Sequence, residues 1–363
     1  MVTKEASWAY RDGVDEEFAR TYFRRFGPGV VSSVGVGTYL GDPTDEQDER
    51  YETAVRQAVE SGVSVVDTAV NYRAQRSERA VGRAIEAADV DREALLVATK
   101  GGFVPFDGAQ PDDPAAYVRE EWFEPDHASP GEMVRGNCLS PRFLSRSLDL
   151  SLENLGLDTV DLYYVHNPET QLAERDRETV YDLLEDAFVR LEERREAGDL
   201  RYYGVATWEC FRVPQDHPNY LSLPEVVRRA RAASDRADTN ATGFRAVQLP
   251  FNVHMADAFT RAAHDGPEGP QSALAFAHEA GLDVFASAPL KQGALAREGA
   301  IPDDVAAKLA GETPAQRAIN FARSAPGVTA ALVGTGSPEH VAENVGAGRY
   351  EPLGADAFDA TFE

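Results

Sequence analysis

Short apolar, β-branched runs alternate along the whole chain with longer stretches in which apolar positions recur every three or four residues. The short runs predict eight strands, at residues 34–40, 63–69, 94–100, 160–166, 201–207, 244–250, 282–288 and 328–334. The helical pattern covers 45–61, 77–88, 141–155, 179–197, 224–233, 271–280, 314–324 and 338–345. Thr44, Ser77 and Ser337, each followed closely by an acidic residue, are expected to cap three of these helices. Eight strand–helix alternations imply a parallel sheet, and eight is the number that closes into a (β/α)8 TIM barrel. The barrel should run from about 31 to 347 within a single domain spanning 1–363, behind a short N-terminal extension. A doubly wound sheet would need a glycine-rich phosphate loop after its first strand. The sequence there is GDPTDEQDER, and the VGVG before it reads as strand. Two stretches interrupt the rhythm. Residues 101–139, after the third strand, carry five prolines together with Tyr117, Trp122 and Phe123, which predicts an ordered, lid-like loop without a long helix. The acidic stretch after Gly348, with Phe358 and Phe362, is expected to fold over the barrel mouth.

Composition narrows the function classes. Asp and Glu number 61 against 36 Lys and Arg, a formal charge of −25, so a nucleic-acid partner is not expected. Lys4, Lys100, Lys291 and Lys308 are the only lysines. Acidity with so little lysine resembles proteins of salt-loving organisms, in which salt screens the self-repulsion. No apolar run approaches the ~20 residues of a membrane span, and the N-terminal residues do not read as a secretory signal. Cys138 and Cys210 form no CxxC pair and no disulfide framework, and no metal site is expected. Together these features predict a cytoplasmic protein; oligomeric state is not legible.

In a TIM barrel the chemistry sits where the strands end. Asp67 ends the second predicted strand and Tyr72 follows in the next loop; Lys100 ends the third and His166 the fourth. Taken singly, Asp67 could cap a loop and Tyr72 could be a packed aromatic. As a group they suit hydride reduction of a carbonyl, whose oxygen gains charge and needs a proton donor. A phenol titrates near pH ~10, and a lysine ammonium held by an aspartate is expected to pull that value down. A histidine can orient the carbonyl oxygen.

The segment GVSVVDTAVNYRAQRSERAVGRAI resembles the signature of the aldo-keto reductase family, and VATK and DLYYVHNPE resemble its third- and fourth-strand motifs. The resemblance runs from about Val31 to Asn344 and is closest to a bacterial and archaeal branch. It implies a small-molecule carbonyl or alcohol as substrate, NADP or NAD as cofactor, and Asp67, Tyr72, Lys100 and His166 as a catalytic set. It also implies cofactor contacts at Gly37 and Thr38, at Gln248, in Leu290 and Gly293 of the pyrophosphate loop, and at Glu343 and Asn344.

Departures from the family pattern touch the cofactor end. Thr207 and Trp208 stand where the fifth strand usually ends in Ser-Asn. Ser287, Ala288, Pro289 and Leu290 lack the aromatic that stacks on a nicotinamide, so that stack must come from elsewhere, with Trp208 the candidate. In VGTGSPEHVAEN, Gly334 and His340 replace cations that pair with a 2′-phosphate, leaving Thr335, Gly336, Ser337 and a helix N-terminus to hold it. Two other classes remain open: a cofactor-binding regulatory subunit with slow chemistry, and a lyase or isomerase using Lys100 as a Schiff base.

Overall fold

The structure, a computed structural model, describes every residue except Asp15, Glu17, Glu268 and Glu363. Eight parallel strands close into a barrel: β1 (Val34–Gly37), β2 (Val65–Asp67), β3 (Leu96–Gly101), β4 (Val160–His166), β5 (Leu200–Ala206), β6 (Phe244–Pro250), β7 (Asp283–Ser287) and β8 (Val328–Gly334). Each is buried almost end to end, as strands covered on both faces must be. The outer ring contains α1 (Asp45–Glu60), α2 (Arg76–Ala87), α3 (Pro141–Leu155), α4 (Arg177–Ala197), α5 (Leu223–Arg236), α6 (Ala273–Glu279), α7 (Pro314–Ser324) and α8 (Val341–Gly346).

Cap chemistry holds at Thr44, whose hydroxyl accepts from the Gln47 N–H at 3.3 Å. Ser77 is instead the second residue of α2, behind a left-handed Gln75, and its hydroxyl donates to the Thr38 carbonyl at 2.8 Å. Ser337 heads a three-residue 3-10 turn before α8 and makes no side-chain cap bond. The helix expected from Gln271 starts at Ala273, because Gly269–Gln271 pairs with His264–Gly266 in a small hairpin.

The floor of the barrel comes from the N-terminal extension. Strands Phe23–Phe26 and Gly29–Ser32 form a hairpin turning at Gly27–Pro28, a two-residue turn whose first member has φ +53°. Phe26 and Val31 of the hairpin pack against Leu96, Leu162, Phe285 and Leu332 inside the barrel. Gly-Pro between the short runs Phe23–Phe26 and Gly29–Ser32 was the available signal for that turn.

The 101–139 insert is ordered and lies along α3. Trp122, 2% exposed, packs on Phe143 with ring centroids 4.4 Å apart, and Arg142 of α3 binds Glu132 at 3.1 Å. Only Phe103 of the insert lines the central cavity. The C-terminal stretch does not cross the mouth. Its Phe358 is fully buried against Phe259 and Phe321, ring centroids 5.1 Å away in each case, on the flank formed by α7.

Candidate active site

A cavity of about 830 Å³ opens at the C-terminal ends of the strands and extends to the start of α8. Strand register sets its floor. Asp67 pairs with Gly37 and Ala98, while His166, Ala206 and Gln248 lie in one register row across β4, β5 and β6. Of the twenty-one residues expected at the site, eighteen line this cavity. The exceptions are Lys100, Pro289 and Thr335. Lys100 is completely buried beneath Tyr72; Pro289 is buried; Thr335 turns inward, donating to Val333 O and accepting from Asn344 Nδ2, both at 3.1 Å.

The Lys100 ammonium donates to Asp67 Oδ2 at 2.6 Å and to the Thr68 carbonyl at 2.7 Å, and lies 4.8 Å from the centre of the Tyr72 ring. Gln248 Nε2 donates to the other Asp67 oxygen at 2.7 Å, so its amide nitrogen orients the aspartate. Burial works against the ammonium, but the charges of Asp67 and Tyr72 outweigh it and hold Lys100 above its ordinary value. Tyr72 moves opposite to the sequence expectation. Burial raises the phenol further than Lys100 lowers it, so the net direction is upward and the group stays protonated at neutral pH. Burial and the Lys100 charge push His166 down to about 3, which leaves its imidazole neutral. The His166 ring stands edge-on to Tyr72, centroids 5.9 Å apart.

The backbone after Tyr72 is strained. Arg73, Ala74 and Gln75 have φ of +49°, +54° and +68°, and each left-handed non-glycine residue costs about 1–2 kcal/mol. Side chains from three directions hold this turn. Arg73, whose side chain is 1% exposed, pairs with Asp48 of α1 and donates to Asp42 O at 3.0 Å. Gln75 donates to Phe106 O in the insert and accepts from Asn154 of α3. Nothing in the sequence pattern joins Asp48 to the tyrosine loop.

The Thr207 hydroxyl is not offered to the cavity. It donates to Glu169 Oε1 at 2.7 Å and accepts from the N–H groups of Glu209 and Cys210. Glu169 Oε1 also receives the Trp208 N–H at 2.9 Å, which fixes the backbone under an indole that is 46% exposed at the rim.

At the far end, Lys291, Gln292 and Gly293 take φ of +47°, +55° and +84°; successive left-handed or turn residues of this kind aim N–H groups toward an anion. A Cβ on Gly37 or Gly334 would meet its nearest neighbour only at ordinary contact distance, 3.7 Å or more, so neither position is crowded. His340 lines this end of the cavity and is exposed. A cation nonetheless stands here. Arg50 of α1 donates to Ser337 Oγ at 2.9 Å and pairs with Glu339 at 3.1 Å. It lies 287 residues before Ser337, so the motif itself gave no sign of it. Cavity volume, the left-handed turn and the bare glycines fit a nicotinamide dinucleotide, within the ~300–1,000 Å³ usual for small-molecule sites.

The model of the aldo/keto reductase family matches residues 33–361. A putative voltage-gated potassium channel subunit beta of Schizosaccharomyces pombe is 22% identical over 87% of this chain and 84% of its own length. An aldo-keto reductase of Mycobacterium avium is 30% identical, over 44% of this chain and 41% of its own. Among solved structures, an aldo-keto reductase of Klebsiella pneumoniae in complex with NADPH superposes with TM-score 0.60 at 19% identity, covering 93% of both chains. The holo form of one from Bacillus halodurans gives TM-score 0.60 at 19% identity, covering 93% of this chain and 94% of that one.

Proposed function

The chain belongs to the aldo/keto reductase family, and on that premise we propose a division of labour for its site. The protein is an NAD(P)-dependent oxidoreductase that interconverts a carbonyl and its alcohol. Bound at the cavity, the nicotinamide supplies or accepts the hydride. Tyr72 hands its phenolic proton to the carbonyl oxygen in reduction and takes it back in oxidation. Lys100, aimed by Asp67, stabilises the phenolate left behind, and Gln248 keeps Asp67 in place. His166, neutral at working pH, orients the carbonyl oxygen by a hydrogen bond.

One observation carries this reading: a buried Lys100–Asp67 pair directly beneath the only tyrosine that meets both the ammonium and His166 among the described residues. Such a pair is dear to desolvate and is more often functional than stabilising. The salt bridge also argues against Lys100 as a Schiff-base nucleophile, since it keeps the amine protonated. Gly37, Thr38, Ser287, Ala288, Leu290 and Gly293 flank the dinucleotide in this reading, with Gly334, Gly336, His340, Glu343 and Asn344 at its far end. Trp208 takes the stacking position in place of a seventh-strand aromatic. Absorbance of NADH and NADPH, followed with an aldehyde panel in wild type and Tyr72→Phe, tests the assignment.

The setting is part of the proposal. A charge of −25 and two buried free thiols support a reducing, saline cytoplasm with no nucleic-acid partner. Among the described residues no helix is long and apolar enough to cross a membrane. Residues 1–363 act as one unit in this reading, the N-terminal hairpin closing the floor of the barrel.

A further inference from the structure

A histidine that works through one ring nitrogen is ordinarily aimed by a hydrogen bond at the other. In His166 the Nδ1 atom is buried with no hydrogen-bond partner among the described residues. The ring must therefore be held through its backbone and by packing, and the 101–139 insert supplies contacts of both kinds. Asn137, completely buried, donates from Nδ2 to the His166 carbonyl at 3.0 Å. Gly102 passes so close that a Cβ there would lie 2.8 Å from the same carbonyl oxygen, and its φ of +146° is one that glycine adopts freely. Phe103, next in the chain, sets its ring edge-on to the imidazole with centroids 5.3 Å apart. The two ends of the insert pair with each other to bring these residues together. Cys138 N–H donates to Gly102 O at 2.7 Å, Val104 N–H donates to Gly136 O at 2.9 Å, and Phe103 forms a β-bridge with Asn137.

Asn137 is itself locked in one orientation. Gln171, completely buried in the 3-10 segment Pro168–Ala173 that follows β4, donates from Nε2 to Asn137 Oδ1 at 2.7 Å and to the Asn137 carbonyl at 2.8 Å. Arg175 in turn donates to Gln171 Oε1 and to Gly131 O, both at 2.6 Å. Both ends of the Asn137 amide are thus bonded, and turning it over would set donor against donor at Gln171. Buried polar chains that are fully satisfied rigidify what they join, and this one runs from Arg175 to the carbonyl of the histidine.

We propose that the insert aims the imidazole of His166 at the substrate carbonyl, with Asn137 as the positioning residue through which it acts. The inference rests on the reading of His166 as the group that orients the carbonyl oxygen. It makes the insert a buttress beside the site, felt in the alignment of the reacting groups and not in cofactor affinity.

A double-mutant cycle tests it. Asn137→Asp keeps the shape of the side chain and the acceptor for Gln171 but removes the donor to His166. It should lower kcat for reduction ~10-fold, since a misplacement of ~1 Å costs up to ~10²-fold, and leave KM for the carbonyl and the NADPH dissociation constant little altered. His166→Ala should cost ~10²-fold or more, as the loss of one donor to a developing oxyanion does. Together the two substitutions should cost no more than His166→Ala alone, because the positioning residue then has nothing to aim. Gln171→Glu breaks the link to Asn137 while Arg175 neutralises the new carboxylate, so the fold is kept; it should lower kcat ~3-fold, again only where His166 is present. If Asn137→Asp does not fold, Gln171→Glu decides by the same cycle.

The same fold-loss from Asn137→Asp with and without His166 would overturn the inference, because a merely structural residue adds its cost in both backgrounds. So would wild-type kcat in both Asn137→Asp and Gln171→Glu. Full turnover by His166→Ala would instead overturn the reading of His166 on which the inference rests.

Discussion

Where Lys100 meets Asp67 every polar atom of the pair is buried and bonded, whereas Arg50 meets Glu339 in the open, 39% and 66% exposed respectively. Both are single ion pairs at opposite ends of one cavity. The first is assembled from strand ends that cannot shift without breaking the barrel, and it sits in a dry environment where charge acts strongly. The second links a helix to a surface turn in high dielectric, where an ion pair is worth ~0–1 kcal/mol and is screened by salt. In the proposed reading, the barrel concentrates rigid electrostatics where the proton would move and leaves cofactor discrimination to adjustable surface groups.

The sharpest way to break that contrast is at the dry end. Tyr72→Phe should lose ~10²–10⁴-fold in kcat while keeping dinucleotide affinity, because it removes the proton donor and little volume. Near-normal turnover on every substrate would remove Tyr72 from the mechanism. Lys100→Met should show a comparable loss, and a thermal melt must accompany it, since Asp67 is then left buried without its cation.

A smaller effect is expected one layer out. Asp48→Asn weakens the hold on the left-handed turn after Tyr72, where Arg73 and Arg76 both bind Asp48. As a positioning change it should lower kcat ~10-fold with KM for the carbonyl little altered, because misplacing a reacting group by ~1 Å costs up to ~10²-fold. A matched fall in melting temperature with unchanged kcat would make Asp48 purely structural.

At the wet end the changes should be a few-fold. Arg50→Ala should lower the NADPH-to-NADH affinity ratio, and Glu339→Gln, which frees Arg50 from its present partner, should raise it. Both shifts should shrink in 1 M salt. Ratios that ignore both substitutions would place the 2′-phosphate away from Ser337.

The smallest expected effect is a null one. Burial holds the Tyr72 phenol above its usual value near 10 and His166 down at about 3. A group with a raised value keeps its proton until pH exceeds it, and one with a depressed value stays neutral until pH falls to it. The rate of reduction at saturating substrate should therefore be flat from pH ~5 to 9. The reverse oxidation, which needs the phenolate, should rise with pH over the same range. A reduction rate that falls below pH 9 would show that Lys100 outweighs burial after all.

Chain pattern alone carried the eight strands, their order and the placing of Asp67, Lys100 and His166 at strand ends with Tyr72 in the loop after Asp67, since a buried strand must be written in apolar residues and an ionisable residue closing such a run stands out. Lys100 was especially plain in a chain with four lysines. Three features depended on the fold. The cation beside Ser337 comes from Arg50 because closing the barrel brings α1 against the turn after β8, and β1 pairs with β8 only once the sheet is shut. The Thr207 hydroxyl is taken by Glu169, thirty-eight residues earlier, because neighbouring strand ends bring their loops together. And the direction in which Tyr72 titrates is a contest between a nearby charge and the loss of water. Residue types name the charge, but only the packing around the ring sets how much water is gone.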